Sequence, residues 1–178
     1  KIGAKIYGST TIGPYCKIGG EVSNCVFFGY SSKAHDGFLG NSVIGEWCNL
    51  GANTNNSNLK NNYAEVKLWN YSSESFSCTD LQFCGLIMGD HSKCGINTMF
   101  NTGTVIGVSV NLFGTGFTRN FIPSFSWGGV AGFSIYKLTK VFEVAKKVFS
   151  RREISFDHKE ESILSHVYNM TKKYRNEL

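Results

Sequence analysis

Proline is nearly absent, two residues in 178, which excludes a proline-rich linker or a polyproline segment. The six cysteines, at positions 16, 25, 48, 78, 84 and 94, form no CxxC pair and no zinc-type spacing. Histidine is as sparse: His35, His91, His158 and His166. A three-histidine zinc site needs two of them close together on adjacent sides and a third nearby. His158 and His166 fall in the tail, and His35 and His91 stand far apart, so no metal is expected. His91 reads as a surface residue. No apolar run is long enough to span a membrane and no stretch reads as a secretory signal, so a reduced, cytoplasmic setting is the expectation. The net charge of +5 comes without a nucleic-acid-reading motif. It is also uneven. Residues 1–136 carry eight Lys/Arg and seven Asp/Glu, whereas 137–178 carry ten and six. The basicity belongs to the tail, where it reads as solvated helix faces.

What the chain has is glycine, 20 residues, and a period. Met88 to Phe117 reads MGDHSK, CGINTM, FNTGTV, IGVSVN, LFGTGF. The first positions are Met88, Cys94, Phe100, Ile106 and Leu112; the second is usually Gly or Asn; the fifth is mostly small or β-branched. Helices repeat at 3.6 and strands at 2, so a period of six marks a parallel β-helix. The first position faces inward, the Gly or Asn is read as the corner residue that tolerates positive φ, and the small fifth position avoids overfilling. Three sides make a coil of about 18 residues, stacked at ~4.8 Å. The hexapeptide signature is specific to the left-handed form, against the usual right-handed crossover. The fold class is therefore all-β, a left-handed parallel β-helix with a C-terminal α-helical appendage.

The same period runs from Ile6, Ile12 and Ile18, slips through NCVFFGYSSKAHDG, and returns from Phe38, Ile44 and Leu50. The slip reads as a loop bulging from a corner. A longer break from about Asn55 to Cys84 reads as an extruded loop or hairpin. Cys16, Cys48 and Cys94 fall at small or inward positions of the repeat. After Thr118 the hexapeptides stop, and RNFIPSFSWGGVAGF reads as an end cap. Ile135, Leu138, Val141, Phe142, Ala145, Val148 and Phe149 follow helical spacing. Asp157 with Glu160 reads as a capping box opening a second helix with a stripe of Ile163, Leu164, Val167, Met170, Thr171 and Tyr174. The division is a solenoid over 1–134 and a helical extension over 135–178. Lys1 opens directly in repeat material, and the chain reads as part of a longer protein with a nucleotidyltransferase-like part upstream. Gly114-Thr115-Gly116 lacks the strand–loop–helix setting of a phosphate loop.

Hexapeptide solenoids share fold more than function, and the fold alone suits an acyltransferase, a zinc-dependent γ-class carbonic anhydrase or a bare trimerisation module. One stretch is more specific: His35, then Phe38, Leu39-Gly40, Ile44-Gly45 and Asn49-Leu50-Gly51-Ala52, followed by Asn58. Through these residues the chain, from about Lys5 to Gly116, resembles the acetyltransferase domain of the bifunctional N-acetylglucosamine-1-phosphate uridylyltransferase/glucosamine-1-phosphate acetyltransferases, especially their archaeal and Bacteroidetes-type relatives. The resemblance implies a homotrimer that transfers acetyl from acetyl-CoA, bound between subunits, to an amino-sugar 1-phosphate in sugar-nucleotide biosynthesis. It makes His35 the general base and Glu21 the carboxylate that orients it. It assigns Lys5, Phe38, Asn49, Asn58, Lys60 and Lys67 to the sugar phosphate, and Ala52, Ile96 and Gly114 to acetyl-CoA. The chain departs from the pattern at Phe38 for Tyr, at Ile96 for Ser, and at Ser23 or Asn24 for a phosphate-binding Lys. The alternative is a non-catalytic trimerisation or regulatory domain of a sugar nucleotidyltransferase.

Overall fold

The computed structural model describes residues 1–175. The chain winds as a left-handed parallel β-helix of short strands on three faces, here A, B and C in chain order. Face A carries strands Lys5–Tyr7, Glu21–Ser23 and Phe38–Gly40, continued by Asn55–Asn56 and Met99–Phe100. Face B stacks Thr11–Ile12, Val26–Phe27, Val43–Ile44, Ile87–Met88, Val105–Ile106 and Phe121–Ile122. Face C stacks Lys17–Ile18, Ser32–Lys33, Asn49–Leu50, Lys93–Cys94, Asn111–Leu112 and Ser126–Gly129.

Each strand turns one residue inward, and these residues stack in files. File A runs Ile6, Val22, Leu39, Asn56, Phe100; file B runs Ile12, Phe27, Ile44, Met88, Ile106, Ile122. File C runs Ile18, Lys33, Leu50, Cys94, Leu112, Gly128. The small fifth positions Ser92, Thr98, Thr104 and Val110 are buried, as the repeat requires. Between Leu39 and Asn56 the ladder is completed by side chains. Asn55 and Asn56 Oδ1 accept from the N–H groups of Phe38 and Gly40, each at 2.8 Å.

Three expectations are corrected. The stretch around His35 is not an extruded loop: Phe27 and Lys33 take inward places, and the coils here are shortened because the step from Ile18 to Val22 lacks two residues and the steps from Val22 to Phe27 and from Leu39 to Ile44 lack one each. In consequence Leu39, not Phe38, faces inward. The second-position glycines are not the left-handed residues. The fourth positions are: His91, Asn97, Gly103 and Ser109 have φ of 61°, 56°, 72° and 55°. Glycine at the second position answers coil-to-coil approach instead. A Cβ on Gly51 would lie 2.3 Å from the Gly95 carbonyl oxygen.

The corner between faces B and C is built from fourth positions. Tyr15, Tyr30, Trp47 and His91 all have φ near +60°, and their rings stack with centroids 5.0, 4.1 and 6.5 Å apart. Left-handed backbone costs an L-residue about 1–2 kcal/mol, and each stacked aromatic pair offsets about 0.5–1.5 kcal/mol of it beyond simple burial. His91 is thus a half-buried rung of the ladder and not a surface residue.

The break near Asn55 holds an antiparallel hairpin, Lys67–Asn70 with Ser75–Cys78. At the far end the coil persists to Gly129, and Gly132–Ile135 folds back antiparallel on Ser126–Gly129 to cap the last edge. Ile135 is therefore in a strand and half exposed, outside the first helix, α1 (Leu138–Ser150). α1 buries Val141, Ala145 and Phe149, and Phe149 continues the corner ladder by stacking on Trp47 at 4.0 Å. The second helix, α2 (His158–Met170), opens on Asp157, whose Oδ1 accepts from the N–H groups of Lys159 and Glu160. Leu164 joins Phe125 and Val141 in a second apolar cluster, whereas Ile163 and Met170 are exposed and lie off the buried stripe. Among the described residues no helix is long and apolar enough to cross a membrane.

Candidate functional site

The corner between faces C and A gathers the chemistry. Counting from the inward residue of face C, His35 lies two after Lys33, Ala52 two after Leu50, Ile96 two after Cys94 and Gly114 two after Leu112. The four occupy one column on successive coils. Backbone bonds hold adjacent corners together: Asn53 N–H donates to the Asp36 carbonyl at 3.0 Å, Asn97 N–H to that of Ala52 at 2.8 Å, and Gly95 N–H to that of Leu112 at 2.8 Å. His35 and Gly114 are exposed, and Ile96 is 68% exposed. The expected base and the three expected acetyl-CoA neighbours thus share one solvent-facing edge, coils ~4.8 Å apart.

Face A adjoins this edge. Lys5, Glu21 and Phe38 are successive register partners on its outer side. Phe38 and Asn58 enclose Gly40, where a Cβ would lie 2.5 Å from Phe38 Cζ and 2.7 Å from Asn58 Nδ2. Asn58 Nδ2 donates to Asn41 Oδ1 at 2.7 Å. Glu21 does not engage His35: its Oε1 accepts from the Tyr7 hydroxyl at 2.5 Å. Other expected residues lie apart. Asn49 is on the outer side of face C, between Ser32 and Lys93. Lys60 donates to the Glu65 carbonyl at 2.7 Å, within the extruded loop, and Lys67 is paired opposite Cys78 in the hairpin.

The sequence reading missed the residue beneath the corner. Lys33 is 1% exposed, inside the prism, and its Nζ donates to the carbonyls of Gly19 at 3.2 Å and His35 at 2.7 Å. Burial pushes its pKa down, and the nearby Asp36 charge partly opposes this. An ammonium is thus hydrogen-bonded to the backbone of the candidate base. The signal was available, since Lys33 falls one hexapeptide after Phe27.

Over 87 residues the chain is 33% identical to a protein of Methanocaldococcus jannaschii and 32% identical to one of Methanococcus aeolicus. Both are named bifunctional protein GlmU. The resemblance is to GlmU. The match covers 49% of this chain but 21% and 20% of those proteins, about a fifth of the length of the GlmU relatives. No protein-family model matches the sequence. A solved structure of a mutant of AntD, an N-acyltransferase from Bacillus cereus in complex with dTDP and coenzyme A, overlays 83% of this chain and 85% of that one, with a TM-score of 0.45 and 14% identity.

Potential metal donors come together elsewhere among the described residues. Glu65, Cys78 and Asp80 have ligand atoms within 4.8 Å of one another, exposed at the base of the hairpin. The Cys78 thiol already donates to Glu65 Oε2 at 2.9 Å, and no histidine joins them.

Proposed function

We propose that the chain is an acetyl-CoA-dependent N-acetyltransferase acting on the amine of an amino-sugar 1-phosphate, with His35 as general base. The observation that carries this reading is the column of His35, Ala52, Ile96 and Gly114 along one corner. An extended thioester laid along Gly114, Ile96 and Ala52 brings its acetyl end toward His35. The imidazole takes a proton from the attacking amine through its unprotonated ring nitrogen. The amine nitrogen bonds to the acetyl carbon, the C–S bond breaks, and the thiolate leaves as coenzyme A thiol with a proton returned by the imidazolium. With Ile96 in place of a hydroxyl donor, the oxyanion falls to backbone N–H groups of the corner. Lys5 and Phe38 on face A, with Asn58 just past its edge, flank the acceptor sugar.

The test is thiol release from acetyl-CoA with a panel of amino-sugar phosphates. The parent is expected to turn over at least one of them. His35→Ala should lower kcat by roughly 10²–10⁴ while acetyl-CoA still binds. Full turnover by His35→Ala would leave the histidine structural. A second reading, a non-catalytic trimerisation or regulatory domain, is favoured by one observation: Glu21 is engaged by Tyr7 and not by His35. It takes over if the parent neither binds acetyl-CoA nor releases thiol with any acceptor.

A further inference from the structure

A cavity of about 350 Å³ opens where the end of α1 faces the outer side of face C. Four cations line it, Lys17 and Lys93 from the solenoid and Arg151 and Arg152 from the end of the helix, and no carboxylate does. Among the described residues the salt bridges engage Lys140, Lys146 and Lys173, which leaves Lys17, Arg151 and Arg152 without an acidic partner. Lys93 Nζ donates to the His91 carbonyl at 2.9 Å, and burial lowers its pKa.

Such a cluster is unfavourable when empty. Like charges gathered near a surface repel one another, the more so where solvent is excluded between them. The dipole of α1 favours cations at its C-terminal end, which accounts for the arginines but not for the lysines on the facing strands. A bound phosphate would turn these repulsions into charge-assisted bonds, and the guanidinium fork suits phosphate oxygens. Ser32 and Asn49 supply neutral polar groups to the same cavity, and Tyr30 and Trp47 of the corner ladder form its apolar wall. The volume suits a small ligand.

We propose that this cavity binds the phosphate or diphosphate of a small-molecule ligand. Ser32 and Asn49 belong to the two coils that carry His35 and Ala52, so the bound phosphate lies on the coils of the candidate site. Only the ligand's identity rests on the acetyl-transfer reading, because both acetyl-CoA and an amino-sugar phosphate bring phosphates.

The test is calorimetric titration of the whole chain with inorganic pyrophosphate at low salt. The parent should bind. Arg151→Gln combined with Arg152→Gln should weaken binding at least tenfold without lowering the melting temperature, and Lys17→Gln should weaken it in the same direction from the solenoid side. If the double variant loses stability, Lys17→Gln decides. Displacement by coenzyme A assigns the site to the donor, displacement by a hexosamine phosphate assigns it to the acceptor, and displacement by neither leaves a phosphate site separate from the transfer. His35→Ala should bind pyrophosphate as the parent does, so loss of transfer and loss of the phosphate site are told apart. The proposal is overturned if millimolar pyrophosphate gives no binding, or if parent and variants bind it equally.

Discussion

Lys33 stands in a file otherwise made of Ile18, Leu50, Cys94, Leu112 and Gly128. A buried ammonium is costly unless its protons are bonded, and the Gly19 and His35 carbonyls bond it at the corner where the coil shortens. Because the folded pKa is lowered from 10.5, the unfolded chain holds this proton more tightly. The cost of keeping Lys33 charged is therefore present in full at neutral pH. It is relieved as pH rises through the lowered folded pKa toward 10.5. Urea unfolding between pH 7 and 10.5 should show the parent gaining stability across that window relative to Lys33→Met, whose profile lacks this contribution. Parallel profiles would mean that burial does not lower the Lys33 pKa in the native prism. The same substitution frees the His35 carbonyl, so it also probes how firmly the candidate base is held.

At the scale of elements, the aromatic ladder connects two parts of the chain with different periods. Trp47 and His91 belong to hexapeptides, whereas Phe149 belongs to a helix and stacks against both, at 4.0 and 6.0 Å. Burial in this stack, with Lys93 adding to the effect, lowers the His91 pKa from 6.5 to about 4. The native state therefore resists a proton that the unfolded chain accepts, and stability is lost as pH falls from about 6.5 to about 4, by up to about 3 kcal/mol. His91→Phe keeps a rung in place and should remove that acid limb; a limb of unchanged size in thermal melts would assign it to other groups. The solenoid was legible because inward residues recur whatever the corner does. The register near Phe38 was not, since the shortened step from Leu39 to Ile44 moved Leu39 into the inward place. The ladder was hidden because Tyr, Trp and His at left-handed φ run against local preference, and only the neighbouring rungs make it worthwhile. The docking of α1 was hidden for a related reason: its apolar stripe was visible but its target, Trp47, is set by tertiary structure. In the candidate site, His35, Ala52, Ile96 and Gly114 came from the resemblance, and what the structure adds is that they share one offset from the inward file. Lys60 and Lys67 came from the same resemblance, which does not carry how an extruded loop folds.

For the whole molecule, residues assigned to acetyl transfer lie on two faces and the corner between them: Lys5 and Phe38 on face A, Asn49 on face C. A groove that uses both sides of a convex corner is closed more completely by a second subunit than by its own. The resemblance implies a trimer, which is expected to show as a light-scattering mass three times the 19.7 kDa of the chain. A monomer at micromolar concentration would remove both the assembly and the shared groove.

The stack of Phe149 on Trp47 also sets an order of assembly. In a solenoid each coil needs only its neighbour, so coils can be added one after another as the chain emerges during synthesis. The helix that grips Trp47 lies beyond the last coil and has nothing to hold until that early coil exists. Its docking is expected to follow the coils, with α2 still to come, and it binds a coil made long before it, so the tail would act as a latch on a solenoid already built.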